Sequence, residues 1–182
     1  MAEEHVVLSA IGADRVGIVD ELTAIIEAYE CNIKESRMAV LGGDFAVIML
    51  IVGEASDVSR IIEEADTVGE QLKLYVEARL TETEYRGRLG RPYLIETFSL
   101  DAPGIVHAVS AVLHKHGVNI EDLETDTSAA PWTGAAMFHM RAHIIVPPTV
   151  SVSALREELS MLEQKRDLDI TMRPVSINWT EK

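Results

Sequence analysis

A six-residue motif that occurs twice is the feature that most constrains the fold of this chain. Asp14-Arg15-Val16-Gly17-Ile18-Val19 lies between a strand-like run and a helix-like run, and Asp101-Ala102-Pro103-Gly104-Ile105-Val106 lies in the same setting. The offset is 87 residues (101 − 14), and Asn32-Ile33 returns at that offset as Asn119-Ile120. Two separated landmarks with one spacing indicate a duplicated unit. The chain has 182 residues, so each unit has about 90, which is long enough to bury a modest core.

Hydrophobic periodicity predicts the same order of elements in both units. In the first unit it predicts strands at 5–11, 33–41, 45–52 and 74–80, with helices at 16–30 and, capped by Ser56 or Asp57, at 58–72. In the second unit it predicts strands at 93–100, 118–127, 137–146 and 168–179, with helices at 105–116 and 152–162. Each unit is therefore β-α-β-β-α-β. With right-handed crossovers this is the α+β ferredoxin-like arrangement, an antiparallel sheet with two helices on one face.

Turn and linker signals separate the elements. Gly42-Gly43 predicts a tight hairpin in the first unit, whereas the second unit has an inserted loop at 128–134 that carries Trp132. Gly117 is expected to end a helix as a left-handed cap. The polar segment 83–91 contains two glycines and precedes a proline, which is typical of a linker. We therefore predict two domains, 1–82 and 92–182.

The element order and the repeated motif resemble the ACT domain. The resemblance is carried by 14–19 after the first strand and Asn32-Ile33 after the first helix, and it recurs at 101–106 and Asn119-Ile120. ACT domains bind amino acids or other small metabolites and regulate what they are attached to. The second-unit insert and the ending at 155–170 are similar to the glycine cleavage repressor group, which has two ACT domains and no catalytic or DNA-binding domain. That resemblance implies regulation through a separate DNA-binding protein.

The repeated turn is the predicted ligand site. Glycine lacks a Cβ, so the backbone can approach a ligand and present N–H groups at the start of the following helix. The alternative is that Gly17 and Gly104 only permit a tight turn. The residues predicted to bind the ligand are Asp14, Arg15, Val16, Gly17, Ile18, Asn32 and Ile33 in the first unit, and Asp101, Ala102, Pro103, Gly104, Ile105, Asn119 and Ile120 in the second.

The aspartates and asparagines of this set each have two possible roles. Asp14 and Asp101 could receive a ligand ammonium, but capping of the following helix is favoured. Asn32 and Asn119 could bind a ligand carboxylate through the amide, or could end a helix in left-handed geometry. Arg15 has no basic counterpart in the second unit, because Ala102 occupies its place. If Arg15 binds an anion, the two sites are therefore not equivalent.

Composition and motifs argue against several classes of function. The net charge of −14, from 16 basic and 30 acidic residues, disfavours direct binding to nucleic acid. His139 and His143 are four residues apart on a strand, roughly 13 Å, which is too far for one metal ion. No nucleophile elbow, catalytic triad context or phosphate-binding glycine loop is present. We therefore expect no enzymatic activity, no metal and no cofactor.

The sequence also gives expectations about location and partners. Its start lacks the features of a signal peptide, and its longest apolar run, 45–52, is too short to span a bilayer. We expect a cytoplasmic protein without membrane contact. We expect a non-enzymatic amino-acid-sensing regulatory protein, acting on transcription through a protein partner such as a DNA-binding regulator, and forming a homodimer. The alternatives are a structural interaction module without ligand, and an enzyme of unassigned type.

Overall fold

The computed structural model is described for residues 3–82 and 89–176, and the chain divides into two compact units, Met1–Tyr85 and Arg86–Lys182. The first unit contains β1 (Glu3–Ala13), α1 (Ile18–Ala28), β2 (Asn32–Leu41), β3 (Asp44–Glu54), α2 (Ala55–Glu63), α3 (Ala65–Leu72) and β4 (Tyr75–Leu80). The second contains β5 (Arg91–Leu100), α4 (Ile105–Lys115), β6 (Asn119–Ala129), β7 (Ala136–Val146), α5 (Val152–Arg166) and β8 (Asp169–Pro174).

Each unit has one four-stranded antiparallel sheet. The strand orders are β2-β3-β1-β4 and β6-β7-β5-β8, and every neighbouring pair is antiparallel. The first and last strands of each unit are therefore neighbours, and the two strands of the hairpin complete the sheet on one side. This order confirms the predicted α+β fold with two βαββαβ units.

Alternating side chains of the central strands form the core of each unit. Val6, Leu8 and Ala10 of β1 are buried, and the residues between them are only partly buried. The helices contribute the other half of the core, because their apolar positions recur with helical spacing. The buried helix residues of the first unit are Ile18, Leu22, Ile26, Val58, Ile61, Ala65, Val68, Gly69 and Leu72.

The second core follows the same pattern with one polar exception. Ile95 and Thr97 of β5 are fully buried, and Thr97 stands at the offset of 87 from Ala10. Strand pairing supports this equivalence. Ala10 is opposite Val76 and Thr97 is opposite Ile170, and each partner is the second residue of the last strand of its unit. The second core therefore contains a hydroxyl where the first contains a methyl group.

The predicted second helix of the first unit differs from the observed one. It is divided into α2 and α3 at Glu64, whose backbone has φ −101° and ψ 7°. Helical hydrogen bonds nevertheless continue, from Glu64 N to Arg60 O and from Val68 N to Glu64 O. The prediction that Ser56 or Asp57 caps this helix was wrong. The helix begins at Ala55 directly after β3, and Glu54 is the capping position, without a side-chain cap.

Other predicted boundaries differ by a few residues. The inserted loop is shorter than predicted, since β6 continues to Ala129 and β7 begins at Ala136. The last predicted strand reached residue 179, whereas β8 ends at Pro174, and residues 177–179 lie outside the described part of the chain. Residues 83–88 of the predicted linker also lie outside it, and Arg91 already belongs to β5.

Candidate functional site

The first repeated motif forms a turn between β1 and α1. Asp14 N donates a hydrogen bond of 2.9 Å to Gly43 O, which ties the start of the turn to the β2–β3 hairpin. Gly17 has φ +95° and is the N-cap residue of α1. Residues with a side chain rarely adopt this conformation, so the turn requires glycine.

The second motif forms the same turn between β5 and α4. Asp101 N donates to Ala136 O at 2.9 Å, and Gly104 is the N-cap residue with φ +89°. The expectation that Asp14 and Asp101 cap these helices was wrong. Neither α1 nor α4 has a side-chain cap hydrogen bond, because each turn continues through the glycine before its helix starts.

A concave cavity of about 310 Å³ opens beside the first turn. Its volume is at the lower end of the range that is usual for small-molecule sites. One wall is apolar and the rim is charged. The lining residues are Asp14, Arg15, Gly17, Ile18, Val19, Asp20, Met38 and Phe45.

Arg15 at the rim is held by two partners in its own unit. Its guanidinium donates to both carboxylate oxygens of Glu21, at 2.6 and 2.7 Å, and to Leu72 O at 3.3 Å. Such bidentate, charge-assisted pairs have a fixed geometry. The hydrogen bond from Arg15 lowers the pKa of the Glu21 carboxyl, and the same bond raises the pKa of Arg15.

The structure brings together four of the predicted first-unit residues. Asp14, Arg15, Gly17 and Ile18 line the cavity, whereas Val16 does not and is fully exposed. The prediction missed four lining residues: Val19, Asp20, Met38 and Phe45. The first two directly follow the turn. The last two come from β2 and β3, and only the strand pairing reveals that they lie near it.

The predicted asparagines lie elsewhere. Asn32 is the first residue of β2 and is opposite Val52, at the end of the sheet where β1 begins. About 30 Å of strand, at roughly 3.3 Å per residue, separates it from the hairpin beside the turn. Ile33 packs against the first core. The structure therefore does not bring Asn32 and Ile33 to this cavity.

The corresponding pair in the second unit has local partners. Asn119 begins β6, and its amide donates to Ile120 O and to Glu121 Oε1, both at 2.9 Å. Ile120 packs against the second core. Neither asparagine ends a helix in left-handed geometry, as the alternative reading required. Glu30 and Gly117 have the positive φ values instead, at 57° and 66°.

The second turn has a guanidinium that the repeated motif does not predict. Ala102 replaces Arg15 in the sequence, but a Cβ added to Gly104 would lie 3.6 Å from Arg166 Nη1. Arg166 is the last residue of α5. In the last strand of each unit, Tyr75 is opposite Ile11 and Asp169 is opposite Phe98. Because Phe98 follows Ile11 at the offset of 87, Tyr75 and Asp169 are equivalent. Leu72 and Arg166 each lie three residues before them and are therefore equivalent too. Arg166 therefore comes from the helix end that Arg15 reaches in the first unit.

Other chemistry finds little support in the described ranges, 3–82 and 89–176. No group of three or more His, Cys, Asp and Glu side chains there is placed to hold a metal ion. None of the helices in those ranges is both long and apolar enough to cross a membrane. Burial raises the pKa of the Cys31 thiol, which disfavours the thiolate that a nucleophile needs.

Comparison with known proteins agrees with this architecture. The sequence profile of the ACT domain matches residues 4–79. The chain is 27% identical over 161 residues to the glycine cleavage system transcriptional repressor of Escherichia coli, covering 88% of this chain and 85% of the relative. It is 37% identical over 68 residues to a UPF0237 protein of Methanopyrus kandleri, covering 36% of this chain and 76% of that protein.

A solved structure matches over almost the whole length. The crystal structure of an unknown protein from Galdieria sulphuraria superimposes with a TM-score of 0.82 at 33% identity, covering 96% of this chain and all of that one (100%). The agreement therefore extends through both units. The chain belongs to the ACT domain family, has two ACT-like halves, and is distantly related to the glycine cleavage system transcriptional repressor.

Proposed function

We propose that this protein is a non-enzymatic regulator that binds an amino acid in the first-unit cavity and transmits its occupancy to a protein partner. The cavity carries the proposal, because it combines a charged rim with an apolar wall in a volume of about 310 Å³. An amino acid needs both features, a charged partner for its polar end and an apolar surface for its side chain. Concave sites that combine apolar surface with a few placed polar groups are the usual form of small-molecule sites.

The protein partner is proposed from charge and from the relatives. A chain with a net charge of −14 is poorly suited to neutralise DNA phosphates. One relative is a transcriptional repressor, which supports a role in transcription. We therefore propose that the protein acts on transcription through a separate DNA-binding regulator. We further propose that it works as a cytoplasmic homodimer.

Transmission requires two conformations that the ligand binds with different affinity. The turn at Gly17 carries that difference, because it connects the cavity with the β2–β3 hairpin through the hydrogen bond from Asp14 N to Gly43 O. A ligand that favours one arrangement of this turn shifts the population of the whole unit. By reciprocity, a partner that binds this arrangement raises the affinity for the ligand.

A thermal-shift screen against the twenty amino acids tests the proposal. A ligand present at 100 times its Kd should stabilise the folded protein by about 2.7 kcal/mol. The shift should disappear in Asp20→Asn, and remain in Asp66→Asn, which changes an exposed first-turn aspartate of α3 outside the cavity. If no amino acid shifts the transition, the sensor proposal fails and the ligand-free interaction module is favoured. Conversion of a bound compound into product would support the enzyme alternative.

A further inference from the structure

Glu21 occupies the hydrogen-bonding face through which Arg15 would recognise a ligand carboxylate. The two side chains share two short hydrogen bonds, and Arg15 also donates a hydrogen bond to Leu72 O. The Glu21 carboxylate also lies against the turn, because a Cβ added to Gly17 would be 3.4 Å from Glu21 Oε1. A ligand carboxylate can take the bidentate position across Nη1 and Nη2 of Arg15 only by displacing Glu21.

The remaining charged side chains at the cavity are acidic. Asp14 and Asp20 both line it, and within residues 3–82 neither carboxylate forms an ion pair with a basic side chain. With Arg15 neutralised by Glu21, the side chains that line the cavity within residues 3–82 carry two carboxylates in excess. Opposite charge within a few ångströms is favourable, so this rim attracts a cationic group.

The second unit shows that the turn does not need this glutamate. Ala108 stands where the first unit has Glu21, and its N–H donates to Gly104 O at 3.0 Å, as Glu21 N donates to Gly17 O at 2.9 Å. The same backbone therefore starts both helices with or without the carboxylate. The Glu21 side chain contributes charge to the first site rather than the geometry of the turn.

We infer that Glu21 sets the charge selectivity of the first-unit cavity: it withholds Arg15 from a ligand carboxylate and leaves Asp14 and Asp20 to bind an ammonium group. The ligand class is thus an ammonium-bearing compound with an apolar side chain, whether or not it also has a carboxylate. The inference rests on the proposed function, since it concerns the same cavity.

Calorimetry with three forms of one compound tests it on the full chain. The probes are leucine, leucinamide and N-acetylleucine, with glycine, glycinamide and N-acetylglycine as a small-side-chain series. Leucinamide keeps the ammonium and lacks the carboxylate, so it should bind about as tightly as leucine. N-acetylleucine keeps only the carboxylate and should bind about tenfold more weakly, which corresponds to the loss of one charged hydrogen bond.

Glu21→Gln then tests the residue that the inference names. This variant frees Arg15, so the affinity for N-acetylleucine should rise about three- to fivefold, as expected of an exposed charge pair. The double variant Arg15→Gln with Glu21→Gln should lose that gain. Glu27→Gln is the matched control, because it removes the same charge from an exposed position of α1 outside the cavity.

The outcomes separate this inference from the proposed function. Binding of N-acetylleucine at least as tight as that of leucinamide overturns the charge selectivity and leaves the sensor proposal standing. An equal gain in Glu27→Gln, or a gain that survives in the double variant, overturns the role of Glu21. Absence of binding by all six probes to every variant overturns both.

Discussion

The two repeated turns share a backbone and differ in their charges. Gly17 and Gly104 have φ values of +95° and +89° and begin their helices in the same way. In the first unit the guanidinium comes from the turn and is paired with Glu21. In the second it comes from Arg166 at the end of α5, and no ion pair of Arg166 occurs among residues 89–176.

The two units have therefore kept the same backbone at the turn but not the same charged groups around it. Backbone geometry fixes where the helix starts, and it is retained because the fold depends on it. The charged groups around the turn are not needed for folding, as Ala108 in place of Glu21 shows. They have therefore diverged, and the two turns present different surfaces to a ligand.

The largest expected effect concerns the shared scaffold. Gly17→Val and Gly104→Val should each destabilise the protein by about 2 kcal/mol, because a β-branched residue is forced into positive φ. Urea denaturation measures both changes, with Val16→Ala as a control at a fully exposed neighbouring position. A large loss in one variant only would show that the two turns are not conformationally equivalent.

A second contrast lies at the other end of the first helix in each unit. Tyr29 OH donates to Glu64 Oε2 at 2.6 Å, whereas His116 Nε2 lies 3.4 Å from Glu158 Oε1. Tyr29→Phe should cost about 1–2 kcal/mol, because it removes the hydroxyl that donates to the Glu64 carboxylate. The control is Tyr75→Phe, since Tyr75 is 69% exposed. Equal stability of both variants would mean that this hydrogen bond adds nothing to the first unit.

The third prediction uses the hydroxyl in the second core. Thr97 is fully buried, and its Oγ1 has no hydrogen-bond partner in the part of the chain that the structure describes. Thr97→Val should stabilise the protein by about 1 kcal/mol, because it removes an unsatisfied polar group and keeps the shape. Thr171→Val, at an exposed position of β8, is the control. A loss of stability in Thr97→Val would show that a water or ligand satisfies the hydroxyl.

The sequence predicted the repeat, the order of elements and half of the residues that line the cavity. It succeeded there because Gly17, the apolar spacing and the Gly42-Gly43 hairpin are local signals. It missed Met38 and Phe45, which reach the turn only through strand pairing, and it missed Arg166, which comes from the far end of another helix. It also predicted a capping role for Asp14, because an aspartate just before a helix is commonly its cap. No local signal shows that the turn continues to Gly17 before α1 begins.

The smallest expected effect is the titration of Glu21. Its pKa is lowered by the hydrogen bond from Arg15, so the contribution of the pair is complete above the ordinary glutamate value and is lost as the pH falls through the lowered one. Carboxyl-carbon NMR should therefore show the pKa of Glu21 below the ordinary glutamate value. In Arg15→Gln the midpoint should rise. A midpoint that stays unchanged would mean that the two side chains do not pair in solution.

The most direct test of the central claim is a map of amide chemical shifts during titration with leucine. We expect changes at Gly17, Val19 and Asp20, which line the cavity, with no saturable change at Gly104 and Ile105 over the same concentrations. Saturation at the Gly104 turn with equal or higher affinity would contradict the assignment of sensing to the first unit. The absence of any change at both turns would contradict ligand binding by this protein.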